Sequence, residues 1–143
     1  MSPKLKYFLT ARNVITDSDT KEPSALGVFE VIILPATLDT YVYSFFVLGR
    51  IELGMTGIVN SSVRVVLFDP TGKELRSELV KGSGLNAAYG INFPVGFYYI
   101  PFSLVGKYAL EVSVNVNDGE FVKLGEPYHF DVVRLNATQD GRQ

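Results

Sequence analysis

At 143 residues, with 47% apolar and 20% charged side chains, the chain has the length of one domain and the makeup of an ordinary folded one. A net charge of -2 with dispersed Lys and Arg offers no basic patch for a phosphate backbone or anionic lipid, so neither nucleic acid nor membrane is an expected partner. The absence of cysteine excludes disulfides, thiolate nucleophiles, iron–sulfur clusters and cysteine-held zinc.

The N-terminal stretch holds only Tyr7-Phe8-Leu9 as an apolar run before Thr10 and Arg12, too short for a secretory leader. No apolar run approaches the roughly 18 residues of a membrane span. The expectation is a soluble, cytoplasmic chain, provided that it is not a processed product. Residues 5–15, 26–34 and 41–51 are rich in β-branched and aromatic side chains and read as the first three strands. Next, Asp69-Pro-Thr-Gly72 has the chemistry of a tight turn, with Pro presetting φ and Gly free to go left-handed. It predicts a hairpin between residues 63–68 and 74–80. A further strand is expected over 95–102.

The clearest periodicity lies at residues 108–116, where Tyr108, Leu110, Val112, Val114 and Val116 alternate with Ala109, Glu111, Ser113 and Asn115. Alternate side chains of a strand face opposite ways, so this strand has one buried and one wet face. Asn117-Asp118-Gly119 then predicts a turn into residues 120–124, and 128–134 completes the set. Helix is expected at most as a short piece over 85–89. Eight or nine short strands joined by Gly, Pro and Asn/Asp turns predict an all-β, antiparallel two-sheet sandwich, with a barrel as the alternative. Residues 1–136 are expected to form the single domain and 137–143 a frayed polar tail.

Four segments carry a family resemblance: Ala11-Arg-Asn-Val-Ile-Thr-Asp17, Ser24-Ala-Leu-Gly-Val-Phe-Glu-Val-Ile32 with Pro35, Phe68-Asp-Pro-Thr-Gly-Lys73, and Gly106-Lys-Tyr-Ala-Leu-Glu-Val-Ser-Val114. Together they resemble a bacterial family of small proteins catalogued as a domain of unknown function. The resemblance implies an immunoglobulin-like sandwich and brings no functional residues with it.

Catalytic chemistry is hard to assemble from this sequence. The single histidine, His129, falls on the face of its strand shared with Asp131, opposite Phe130 and Val132, with no nucleophile beside it. Asp17-Ser-Asp19-Thr-Lys-Glu22 spaces carboxylates like a calcium loop, but Lys21 occupies the fifth position and Glu22 stands where the sixth must be Gly. A polar turn is the better reading. Lys81-Gly-Ser-Gly84 lacks the spacing and helix of a phosphate loop, and no Gly-x-Ser-x-Gly elbow occurs. No catalytic residue, metal site or cofactor is therefore expected.

The aromatic residues are the more telling feature. Phe45 adjoins Phe46, and Tyr98 lies between Phe97 and Tyr99, so alternation forces some of these rings outward. Outward rings serve under a loop, at an interface or against a ligand. The connections 53–62 and 82–94 are long enough to fold over a sheet, and the second is too apolar to wave freely. Candidate binding residues are Tyr41, Tyr43, Phe46, Tyr89, Tyr98 and Tyr99. The expected function is a non-enzymatic protein-binding or self-assembly module, with a protein or a second copy as partner. The alternatives are a small-molecule or glycan-binding module using the tyrosines, and an enzyme built on carboxylates such as Asp17, Asp69, Glu111 or Asp131.

Overall fold

A computed structural model describes residues 2–135; the expected tail at 137–143 and the expected domain limit at 136 lie outside the described residues. Among the described residues nine strands run in chain order: β1 (Lys4–Thr16), β2 (Pro23–Phe29), β3 (Val31–Leu34), β4 (Tyr41–Glu52), β5 (Ile58–Phe68), β6 (Glu74–Asn86), β7 (Ile91–Phe102), β8 (Gly106–Val116) and β9 (Val122–Arg134). They form two sheets, one ordered β2-β1-β4-β7 and the other β3-β9-β8-β5-β6. The helical piece expected over 85–89 is one 3-10 turn, Ala87–Tyr89, whose Ala88 N–H is capped by the Asn86 side chain. Among the described residues no helix is long and apolar enough to cross a membrane.

Two expected strands are differently cut. Residues 26–34 do not stay in one sheet: β2 pairs antiparallel with β1, and after Glu30 the chain crosses so that β3 pairs parallel with β9. Conversely, 120–124 and 128–134 fuse into the single strand β9, because the register slip between Leu110 and Val112 absorbs residues 125–127 without breaking the pairing to β8. The connections 53–62 and 82–94 are mostly strand as well, since β5 starts at Ile58, β6 runs to Asn86 and β7 starts at Ile91. Both pack down on the core, with Leu53, Ala87 and Phe93 buried in it and Met55, Leu85 and Ile91 against it, rather than covering an outer face.

The alternation of β8 holds as read, with Tyr108, Leu110, Val112 and Val114 buried. Facing them across the sandwich, Phe45 and Phe97 stack at 5.2 Å, and Tyr108 stacks on Phe130 at 5.5 Å. Phe45 and Phe130 meet edge to face at 5.6 Å and join the two sheets. Glycine makes room once in this layer: a Cβ on Gly49 would sit 2.3 Å from Phe93 Cζ, so the backbone of β4 lies directly on that ring.

Tyr108 also does something polar. Its hydroxyl donates to the Leu104 carbonyl at 2.8 Å, bracing the corner by which β7 in one sheet passes to β8 in the other. A buried tyrosine near the start of such a strand, bonded back to the preceding corner, is the tyrosine corner of immunoglobulin-like sandwiches. The parallel β3–β9 pairing and the β4–β5, β6–β7 and β7–β8 connections, which cross from sheet to sheet, agree with it. The protein is an immunoglobulin-like β-sandwich.

Candidate functional site

The two outer faces of the sandwich differ in chemistry. On the five-stranded sheet, Lys123 pairs with Glu111 at 3.0 Å, Lys107 pairs with Asp131 at 3.4 Å, and Arg64 lies over the Phe121 ring at 3.8 Å. His129 is on this face, exposed, with Nδ1 3.2 Å from the Tyr108 carbonyl oxygen. Val31, Ile33, Leu79 and Val133 are exposed among these charges, so the face mixes ion pairs with apolar side chains.

On the four-stranded sheet the strand register builds the outer face row by row. Val28, Ala11, Phe46 and Gly96 lie side by side across β2, β1, β4 and β7. The next row is Leu9, Leu48 and Pro94. Leu48 faces outward yet is only 4% exposed, because its neighbours close over it. Beyond it comes a polar row: Arg50 Nη1 donates to Asn92 Oδ1 at 3.1 Å, Arg50 Nη2 donates to the Tyr89 carbonyl, and Tyr7 approaches Asn92 at 3.4 Å. Val28 (58% exposed), Leu26, Ile15 and Val42 extend the apolar area in other directions. With Ala11 and Leu48 closed beneath them, these exposed residues and Pro94 are the apolar area that this face offers to solvent.

At the β7 edge this face carries an aromatic ridge, and a local irregularity creates it. Tyr43 pairs with Ile100 and Phe45 with Phe97, so one residue of β4, Ser44, stands opposite two of β7, Tyr98 and Tyr99. This is a β-bulge, and it upsets the alternation that would have sent one of the two rings inward. Both are outside instead, Tyr98 51% and Tyr99 76% exposed. Tyr99 adopts φ +56°, a left-handed backbone that costs a residue with a bulky side chain roughly 1–2 kcal/mol. Ser44 Oγ accepts from the Tyr99 N–H at 2.8 Å, and Arg76 Nη1 from β6 donates to the Tyr98 carbonyl at 3.2 Å, so both hold the bulge. Tyr98 then folds back over its own strand. A Cβ on Gly96 would lie 2.6–2.8 Å from its ring, and Phe46 meets that ring edge-on at 5.6 Å.

The structure divides the six candidate binding residues into three places. Phe46, Tyr98 and Tyr99 form the ridge just described. Tyr41 and Tyr43, by contrast, are half-buried on the inner side of β4, where they stack on each other at 5.7 Å beside Phe29 and line a cleft with Arg12 and Ile33. Tyr89 stands alone, 74% exposed on the 3-10 turn, beside the polar row. The other residues of this face, among them Leu9, Ala11, Leu26, Val28, Leu48 and Pro94, were not among the candidates; Leu9 and Ala11 alternate with Thr10 and Arg12, and Leu26 and Val28 flank Gly27, so an apolar outward parity is the signal these strands carry.

Each candidate carboxylate is locally engaged. Asp17 accepts from the backbone N–H groups of Thr20 and Asp19, which hold its carboxyl below the usual range. Asp69 is lowered likewise, first by the Thr71 hydroxyl at 2.6 Å and then by the Lys73 and Thr71 N–H groups, so the two aspartates close their own turns. Glu111 and Asp131 are the ion-pair partners on the charged face. Among the described residues no three His, Asp or Glu side chains converge as metal ligands, and no buried side-chain polar atom lacks a hydrogen-bond partner.

Two solved structures align along most of this chain. An immunoglobulin-like protein from Pseudomonas aeruginosa aligns over 92% of this chain and 97% of its own, at 12% identity and a TM-score of 0.37. A CARDB domain from Pyrococcus furiosus, solved in complex with di-metal ions, aligns over the same shares at 12% identity and a TM-score of 0.39. No protein-family model and no curated protein matches the chain.

Proposed function

We propose that this protein is a non-enzymatic interaction module that docks a protein through the outer face of its four-stranded sheet. One observation carries the reading: the outer face of the four-stranded sheet carries the exposed Tyr98–Tyr99 ridge with Phe46 against it, and exposed Ile15, Leu26, Val28 and Val42, over a closed floor of Ala11 and Leu48, while the other face sets its exposed apolar side chains among ion pairs. Interface cores are depleted in charge and enriched in aromatic rings, and the Phe46–Tyr98–Tyr99 ridge has that makeup. The strained Tyr99 backbone supports it further. Left-handed strain at an exposed bulky residue persists where surrounding structure holds it, and such positions cluster at functional sites. Membership of the small bacterial family that the sequence resembles, and a cytoplasmic setting, are part of the same proposal.

The test is site-specific photo-crosslinking in cells, with a benzophenone amino acid in place of Tyr98 on the apolar face or Lys123 on the charged face. A discrete protein adduct at Tyr98, absent at Lys123 and lost with Phe46→Asp, is the expected outcome. Equal labelling at both positions, or none at either, would remove the reading. A second reading, a small-molecule or glycan site, draws on the 76% exposure of the Tyr99 ring, a free stacking surface beside Tyr98. It predicts a rise in melting temperature with sugars that Tyr99→Ala abolishes.

A further inference from the structure

The two sheets end in four edge strands, β2 and β7 in one, β3 and β6 in the other. An edge strand offers unpaired backbone groups to any other strand, and folded proteins protect such edges with proline, charge, bulges or shortness. Three of the four are protected. On β7 stand Pro94, Pro101 and the Tyr98–Tyr99 bulge; β6 carries Glu74, Arg76, Glu78 and Lys81 along with Gly82 and Gly84; β3 has only four residues. β2 has a proline at its first position and the left-handed Gly27 (φ +69°) within it, but neither charge nor a bulge against its partner. Its seven residues, Pro23-Ser-Ala-Leu-Gly-Val-Phe29, hold no charge, and Leu26 and Val28 stand exposed on its outer side.

We infer that β2 is a self-association edge: two copies of this chain pair β2 with β2 antiparallel about a two-fold axis. This goes beyond the docking face and does not depend on it, although the pairing would join two such faces into one.

The hydrogen-bond phase of the hairpin selects the register. Asp17 N–H donates to the Glu22 carbonyl at 2.9 Å, and the β1–β2 partners keep the same offset from Ile15–Ser24 to Ala11–Val28. In an antiparallel ladder bonded and non-bonded pairs alternate, so the backbone groups of Ser24, Leu26 and Val28 turn toward β1. Those of Ala25 and Gly27 turn away, to the free edge.

A two-fold axis normal to the sheet relates residues of equal parity, so the pair is centred on Ala25, Leu26 or Gly27, and centring on Leu26 would set Glu22 opposite Glu30 of the second copy. Charge then favours Ala25. Centred there, Glu22 falls opposite Val28 of the second copy, and Lys21 falls opposite Phe29, one residue from Glu30. No acidic side chain meets another. Centring on Gly27 would place the axis at a residue with φ +69°, where the strand departs from extended geometry. Seven-residue pairing buries less than the about 1,200–2,000 Å² of a standard stable interface, so a weak, reversible dimer is expected.

The full chain has no cysteine, which makes the contact directly testable. Sedimentation equilibrium over a concentration series reaching about 1 mM, the weak end of specific association, should show monomer passing to dimer. Ala25→Cys treated with a short bis-maleimide should give a covalent dimer, and Asn13→Cys on the inner strand β1 should not. Ala25→Pro, which deletes the edge-facing N–H, should hold the chain monomeric with a circular-dichroism spectrum unchanged. A wild type monomeric throughout the series overturns the inference. So does a dimer that survives Ala25→Pro and dissociates with Tyr98→Ala, which would leave the docking face standing and the edge excluded.

Discussion

Removing one oxygen from the core tests the bracing of the sandwich corner. Tyr108→Phe keeps the ring against Phe102, at 5.2 Å, and Phe130, at 5.5 Å, so it opens no cavity and loses only the hydrogen bond to the Leu104 carbonyl. The net worth of such a bond is about 0.5–1.5 kcal/mol. Leu104 is itself exposed, so water can reach its freed carbonyl, and the expected cost is about 1 kcal/mol, or roughly 4 °C in melting temperature. Tyr108→Ala, which also empties the ring's site, should cost about 3–5 kcal/mol. Burial raises the Tyr108 pKa above its ordinary value, with the Leu104 bond opposing and the Asp69 charge adding to the rise. A raised folded-state pKa means that the folded chain holds the proton more tightly. The associated stability is therefore complete below the unfolded value of about 10 and is lost as pH climbs past it toward the folded value. Urea titrations of both chains between neutral pH and pH 11 measure this, and Tyr108→Phe should lose less stability over that range than wild type. An unchanged midpoint at neutral pH together with an identical alkaline profile would refute the reasoning.

Three further outcomes follow from named contacts. Gly49→Ala should destabilise by about 1–3 kcal/mol through collision with Phe93, read by chemical denaturation, and Phe93→Leu in the same chain should recover part of the loss. Tyr99→Gly should raise stability by about 0.5–1 kcal/mol because it relieves the left-handed backbone, while removing the crosslink at position 98 if the ridge is the docking site. In acid, the lowered carboxyls of Asp17 and Asp69 give stability that is present above about pH 4 and lost as pH falls through their folded values. Asp69→Ala, followed by thermal melts from pH 6 to pH 2, should flatten that decline.

What the sequence by itself determined is what local chemistry dictates. The alternation from Tyr108 to Val116, the Asp69-Pro-Thr-Gly72 turn and the Asn117-Asp118-Gly119 turn are properties of short segments, and they appear in the folded chain at those residues. The expectation that neighbouring aromatic rings must divide between two faces is equally local, and Phe45 and Phe46 obey it. Where strand 26–34 breaks was not legible, because leaving one sheet for the other at Glu30 depends on which partners, β1 and β9, are in reach. The candidate site was legible in part. Phe46, Tyr98 and Tyr99 could be named from adjacency, but Tyr41 and Tyr43 share their composition and lie inside, since a strand's parity is counted from a core that only the packed sheets define. Tertiary structure alone decided that Tyr98 and Tyr99 point the same way, because a bulge opposite Ser44 is a relation between two strands. It also decided that Leu9, Leu48 and Pro94 form one floor. Such a face exists only when three strands, distant in sequence, are held at 4.7–4.9 Å spacing by their backbone hydrogen bonds.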